Sequence, residues 1–261
     1  MRIEKLVVML ILAFVAGIAA GQSFNVEFGR AGTAPGAGYG GVGMAGVWNS
    51  FESMASFERL ALVGLDGQPI AADIMNIGFD VIESADIAGT SGDDEALLDD
   101  CFTSFNDPVD GCLFMRFLEP GEYRVIMYGI APDDVSLLSR LRIDQNTEEP
   151  VLVGGVWAGA HEEGVTYMSQ IATVGSDGRL DIHSGLPGGN IRSVCNGIQV
   201  VRLAPACAAD LTGDGELNFF DVSAFLNAFT AMDPVADFTG DGVLDFFDVS
   251  GFLHAYNAGC P

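Results

Sequence analysis

The 261 residues carry 36 Asp+Glu against 11 Lys+Arg, a formal net charge of -25, and Lys5 is the sole lysine. A chain this acidic is a poor partner for nucleic acid or an anionic membrane surface, because affinity for either rests on Lys and Arg neutralising phosphates. General disorder is excluded by 49% hydrophobic residues, while the acidity suits divalent cations, whose hard ligands are carboxylates.

Residues 1–21 have the pattern of a secretory signal. Arg2 and Lys5 form a basic start, Leu6 to Ala16 an apolar core, and Ala19-Ala20-Gly21 a small-residue exit to Gln22. The apolar run is short for a membrane anchor and lacks a flanking basic stop. The expectation is a cleaved leader, no membrane insertion of the mature chain, and a soluble product secreted or held at the cell surface. Export permits disulfides. Five cysteines follow, Cys101, Cys112, Cys195, Cys207 and Cys260, and an odd count leaves at least one unpaired or bonded outside the chain.

A composition shift divides the remainder. Residues 22–203 hold all nine arginines beyond the leader, together with 26 acids, whereas residues 204–261 hold nine acids and no Lys or Arg. Ala204-Pro205-Ala206 is the expected joint.

The larger part reads as mainly strand. Phe24-Asn25-Val26-Glu27-Phe28 alternates apolar and polar residues, as a half-buried strand does. Gly36-Ala-Gly-Tyr-Gly-Gly41 matches the dinucleotide fingerprint, but no helical pattern follows it and no parallel-sheet signal surrounds it, so no cofactor site is assigned. Leu60–Leu65 and Pro69–Met75 flank Asp66-Gly67, a hairpin turn signal. Asp94 to Cys101 is the best helix. Cys101 and Cys112 lie close in one loop-rich stretch and are candidates to staple it. Strands are expected over Glu122–Tyr128, Val151–Trp157 and Val165–Val174, with Asp133 to Leu141 fitting helix and strand alike. A turn at Asp177-Gly178, a strand over Arg179–His183 and a closing strand over Gly197–Leu203 complete the set. Many short strands separated by turns argue for an antiparallel β-sandwich.

Three segments, Gly121–Tyr128, Asp177–Ile182 and Asn196–Val200, resemble the galactose-binding-like jelly rolls shared by many carbohydrate-binding modules. That resemblance covers residues 121–203 better than the first half, and it implies a polysaccharide ligand. Trp48, Trp157, Tyr123 and Tyr128 would serve as a sugar-stacking platform if exposed and as core if buried. No catalytic residue is assigned: His161-Glu162-Glu163 lacks the second His of a zinc protease, no G-x-S-x-G elbow occurs, and 26 acids make any choice of a glycosidase pair arbitrary.

The last 58 residues contain a repeat. Asp210-Leu-Thr-Gly-Asp-Gly-Glu-Leu-Asn-Phe-Phe-Asp221 recurs 27 residues later as Asp237-Phe-Thr-Gly-Asp-Gly-Val-Leu-Asp-Phe-Phe-Asp248, and the tails Val222–Phe229 and Val249–Tyr256 match as well. Each unit fits a 12-residue calcium loop, with oxygens from positions 1, 3, 5, 7, 9 and 12 and Gly at 6 for the sharp turn. The first ligand set is Asp210, Thr212, Asp214, the Glu216 carbonyl, Asn218 directly or through water, and Asp221. The second is Asp237, Thr239, Asp241, the Val243 carbonyl, Asp245 and Asp248. Two calcium ions are therefore expected. A helix after each loop would put Val222, Phe225, Leu226 and Phe229 on one face, and Val249, Phe252, Leu253 and Tyr256 likewise. Phe220 and Phe247 fall toward another face, either exposed for partner contact or buried under the neighbouring repeat.

Asp rather than Glu at position 12 resembles dockerins, and the Cys207 start, the Phe-Phe-Asp-Val-Ser cores and the Gly259-Cys260-Pro261 ending resemble the GC-type dockerin family. Thr212 and Thr239 depart from the Asn or Asp frequent at position 3. The resemblance implies a small α-helical module docking onto a cohesin-like partner. A Cys207–Cys260 disulfide would stabilise it by roughly 4 kcal/mol in the chain-entropy model, with Cys195 left over, although Cys195–Cys207 pairing is the alternative. The whole then reads as a non-catalytic binding and anchoring protein, with a polysaccharide-degrading hydrolase on the same dockerin as the other reading.

Overall fold

The computed structural model describes residues 22–30, 32–53, 55, 57–104, 111–145, 149–185, 192–203 and 207–259. The leader, the joint at 204–206 and Cys260 lie outside the described residues. Those described fall into two compact units, one ending at Leu203 and the other containing 207–259.

The first unit is built almost wholly of strands. A five-stranded sheet takes β1 (Phe24–Phe28), β2 (Trp48–Phe51), β8 (Gly121–Tyr128), β11 (Tyr167–Val174) and β14 (Gly197–Arg202) in the order β11-β8-β14-β1-β2. A six-stranded sheet takes β3 (Arg59–Val63), β4 (Pro69–Ile77), β7 (Gly111–Arg116), β9 (Ser139–Ile143), β10 (Val151–Val153) and β12 (Leu180–Ser184) in the order β10-β9-β12-β7-β4-β3. A third sheet pairs β5 (Val81–Ser84), β6 (Asp100–Ser104) and β13 (Ser193–Cys195), with β6 central. Alternate residues of the two large sheets meet in one core: Val26, Val125, Met127 and Val200 from the first, Ile74, Leu113, Met115 and Ile182 from the second. The result is a β-sandwich.

One pairing departs from an antiparallel sandwich. β1 and β2 run parallel, Asn25 opposite Trp48 and Phe28 opposite Phe51. Parallel neighbours need a long crossover rather than a hairpin, and the Gly-rich stretch between them, described over 29–30 and 32–47, supplies it. This crossover also explains why β1 is buried on both faces, where alternation predicts a solvent face. The segment lies over Asn25 and Gln199: the Met44 carbonyl accepts from Asn25 Nδ2 (3.0 Å) and Gln199 Nε2 (3.1 Å), and Gly43 N donates to Gln199 Oε1 (3.0 Å). Gly41 has φ 50°, and a Cβ there would collide with the Tyr128 hydroxyl. Gly41, the last glycine of the fingerprint-like run, thus lets the chain lie close against β8 and β14.

The hairpin at Asp66-Gly67 forms as expected, with Gly67 at φ 77°. Helix α1 spans Asp93–Leu98 and buries Leu97 and Leu98. It is shorter than the predicted 94–101 because β6 takes residues from Asp100 onward into the third sheet. The ambiguous stretch 133–141 resolves as turns leading into β9, and β10 ends at Val153, before Gly154 and Gly155 at φ 152° and 145°. The proposed Cys101–Cys112 staple is absent: both are free thiols. Cys101 lies on β6 packed against Ala131 and Val194, while Cys112 lies on β7 of another sheet, opposite Ile77 and His183. Cys195 is also a free, buried thiol.

In the second unit each repeat is a loop followed by a helix, α2 (Phe219–Ala231) and α3 (Phe246–Ala258), with a short 3-10 turn at Pro234–Ala236 between them. Phe225 and Phe252, equivalent in the two repeats, stack with centroids 4.2 Å apart and planes 4° from parallel. Phe238 packs edge-on to both, at 5.6 and 5.4 Å. Val222, Phe229, Val249 and Tyr256 close around them. Leu226 and Leu253, assigned to the same core face, are instead 51% and 52% exposed; the stacked rings fill the narrow seam, and the next position around each helix falls outside it.

Candidate metal centre

Each acidic loop is closed by its own first carboxylate. Asp210 Oδ1 accepts from Gly213 N (2.8 Å) and Asp214 N (3.2 Å), and its Oδ2 from Gly215 N (2.8 Å). Asp237 does the same with Gly240 N (2.7 Å) and Gly242 N (2.8 Å). The chain can curl this tightly because Gly215 and Gly242 sit at φ 83° and 79°, a region costly for a residue with a Cβ. Asp214 and Asp241 each accept from the amide two residues on.

The twelfth positions, Asp221 and Asp248, are buried at the third residue of each helix. Asp221 Oδ1 accepts from Thr212 N (3.0 Å) and Thr212 Oγ1 (2.8 Å), and Oδ2 from Asn218 N (2.9 Å). Burial pushes the Asp221 carboxyl up, but these hydrogen bonds outweigh it and hold it below the usual range. Asp248 is held low first by the Asp245 amide, with Thr239 adding to it. Asn218 and Asp245 cap the helices, accepting from Phe220 N (2.8 Å) and Phe247 N (2.7 Å), which places position 9 at the helix entrance. The Glu216 carbonyl accepts from Asn218 Nδ2 (3.1 Å) at the rim of the same loop.

In the first loop, carboxylate oxygens of Asp210, Asp214 and Asp221 all lie within 4.8 Å of one another. No Lys or Arg occurs anywhere in residues 204–261. Carboxylates gathered without a cationic side chain repel one another, and an all-oxygen donor set is what a hard divalent cation takes. The residues present therefore fit such an ion in the first loop, and the second loop repeats its hydrogen bonding.

Beside each loop stand two exposed phenylalanines. Phe219 and Phe220 are 75% and 68% exposed, Phe246 and Phe247 75% and 66%. Each pair packs edge to face, at 6.4 and 6.3 Å. The choice between exposed and buried for Phe220 and Phe247 thus falls to exposed, and Phe219 and Phe246 join them.

The first unit does not assemble a sugar-stacking platform from the aromatic residues named for it. Trp48, Trp157 and Tyr128 are buried in one cluster with Leu97 and Leu98, and Tyr123 is buried in the main core. They are packing residues. At the edge of that cluster the Tyr39 hydroxyl donates to Asp94 (2.5 Å) and contacts His161 Nε2 (2.8 Å). Burial pushes the His161 imidazole below its usual range, against the pull of Asp94.

Sequence reasoning missed a buried acid pair. Glu27 on β1 accepts from Ser50 Oγ (2.9 Å) and Thr33 Oγ1 (3.2 Å). Burial pushes its carboxyl up to about 7, the two hydroxyls hold it down, and Asp100 and Glu52 add to the rise. Asp100 is buried and borders a cavity of about 420 Å³ lined also by Thr33, Ser84, Glu95 and Asp99. The signal was the Glu in an alternating strand, which reads as solvent-facing unless something covers that face.

No known protein family matches the chain, and no curated protein is similar to it. Among solved structures, protein YXIM of Bacillus subtilis is 11% identical, covering 70% of this chain and 40% of that one with a TM-score of 0.38. A Bacteroides uniformis β-glucuronidase is 14% identical over 70% of this chain and 18% of that one, TM-score 0.39. A family 35 carbohydrate-binding module from Clostridium thermocellum is 13% identical over 49% of this chain and 90% of the module, TM-score 0.29. The chain spans less than half the length of the first two.

Proposed function

We propose that this is an exported, non-catalytic anchoring protein, in which a calcium-dependent docking module of dockerin type carries a β-sandwich that binds polysaccharide. The observation that carries the reading is the duplicated loop. Twice, 27 residues apart, an aspartate-rich turn folds its amides onto its own first carboxylate beside a helix whose first turn offers two exposed phenylalanines, and in the first of the two the carboxylates of Asp210, Asp214 and Asp221 gather within 4.8 Å of one another. Calcium held by Asp210, Thr212, Asp214, Glu216, Asn218 and Asp221, and by Asp237, Thr239, Asp241, Val243, Asp245 and Asp248, would fix each helix start and thereby set the phenylalanine pairs for a cohesin-like partner. A Cys207–Cys260 disulfide is proposed to tie the ends of this module; Cys195 is a buried free thiol of the other unit, which argues against its use.

The polysaccharide ligand rests on the jelly-roll resemblance of residues 121–203 alone, and its contacts must fall on residues other than the buried aromatics. Capture of partners from the native cell surface, with calcium and with chelator, tests the docking. Partners recovered only with calcium support it, and equal recovery in chelator would sink it. A glycan array with the full chain tests the ligand class, and release of sugar by the protein would favour the hydrolase reading instead.

A further inference from the structure

The outer face of the six-stranded sheet carries a second, chemically different cluster. Leu180 and Ile182 of β12 point into the core, so Asp181 and His183 point outward. The neighbouring β9 brings Asp144, one residue past its end, beside Asp181: Asp144 N donates to the Asp181 carbonyl (3.1 Å), in line with Ile143 opposite Ile182. His183 Nε2 lies 3.2 Å from Asp144 Oδ2. One donor atom from each of Asp144, Asp181 and His183 falls within 4.8 Å of the others.

Two arginines each hold one carboxylate. Arg142 binds Asp144 through Oδ1, and Arg179 Nε donates to Asp181 through Oδ2 (2.7 Å). That leaves Asp144 Oδ2 beside the imidazole and Asp181 Oδ1 over. The Asp181 side chain is only 2% exposed although it stands on the outward face, and its Oδ1 has no hydrogen-bond partner among the described residues. A buried carboxylate oxygen without a partner is costly, so Asp181 Oδ1 calls for a ligand.

The geometry points to a divalent transition-metal site of the Zn2+ class, held by Asp144, Asp181 and His183. Zinc with bonds of about 2.0–2.2 Å places neighbouring tetrahedral ligands roughly 3.4 Å apart, close to the 3.2 Å between Asp144 and His183. An imidazole among the donors selects against calcium, which takes oxygen, and for the nitrogen-and-oxygen chemistry of zinc. Arginines bonded to the outer carboxylate oxygens act as the supporting shell that ligating groups ordinarily have. This site is independent of the docking module and of its calcium.

The test is equilibrium dialysis of the tag-free full chain against Zn2+ in a large excess of Ca2+, which occupies the loops. One Zn2+ per chain is expected, weakened at least tenfold in His183→Ala and in Asp144→Asn, and unchanged in the Asp210→Ala/Asp237→Ala double variant. The thermal midpoint of each variant without zinc serves as the folding check. Because Asp144 is partly exposed, Asp144→Asn keeps the test valid if His183→Ala fails to fold. Co2+ loading should give the visible absorption of a four-coordinate ion in the wild type and lose it in Asp144→Asn. Zinc uptake that calcium abolishes, or that both single variants leave unchanged, would overturn the assignment.

Discussion

Replacing Glu27 with glutamine probes how the sandwich tolerates a buried carboxylate. Its folded-state carboxyl is raised from 4.5 to about 7, and at 1.36 kcal/mol per unit this amounts to about 3 kcal/mol. Below pH 4.5 the group is protonated in both states and contributes nothing to the pH dependence. Between 4.5 and about 7 the unfolded chain ionises while the folded one keeps its proton, so stability falls as pH rises. Above about 7 both are ionised and the loss stays constant. Glutamine keeps the shape, and its amide oxygen can still accept from Ser50 or Thr33, but it cannot ionise. Urea unfolding followed by tryptophan fluorescence reports this unit, since both tryptophans, Trp48 and Trp157, lie in it. Between pH 4.5 and 8 the wild type should lose about 3 kcal/mol relative to Glu27→Gln. Parallel pH profiles for the two proteins would show that Glu27 does not keep its proton in the folded state.

Phe225→Ala removes half of the stacked pair at the centre of the second unit, and should destabilise that unit by about 3–5 kcal/mol, read as a lower midpoint in far-ultraviolet circular dichroism at saturating calcium. Phe220→Ser with Phe247→Ser alters exposed rings, so stability should change by no more than about 0.5 kcal/mol per site while partner capture drops; capture at the wild-type level would remove these rings from the docking surface. Burial pushes the Cys101 and Cys195 thiols well above their usual range. A thiol reagent should therefore label only Cys112 in the folded chain and three cysteines after unfolding without reductant, whereas five would contradict the Cys207–Cys260 bond.

What the sequence made legible follows local chemistry. The repeat announces its own loops, because Asp and Gly at fixed offsets dictate a turn whatever the rest of the chain does, and the Asp66-Gly67 hairpin is legible for the same reason. β12 and β14 read well since turn signals bound them. The strands that escaped, β2, β5, β6, β7 and β13, are short or carry Cys, Asn and Ser in place of a clean alternation, and their pairing partners are distant in sequence. β1 was found but its surroundings were not: only the fold reveals that residues 29–47 cover Glu27. The Asp144–Asp181–His183 cluster was invisible for the same reason, as three unremarkable residues become neighbours through the pairing of β9 with β12. Leu226 illustrates the opposite failure, since periodicity gives a face but not how wide a seam the partner helix covers.

Everything proposed for the module depends on the duplicated loops binding calcium. Calorimetric titration of the full chain with Ca2+ addresses it most directly. Two ions per chain are predicted for the wild type, one for Asp210→Ala and none for Asp210→Ala with Asp237→Ala. No calcium uptake by the wild type, or uptake unchanged in the double variant, would contradict calcium binding by these loops.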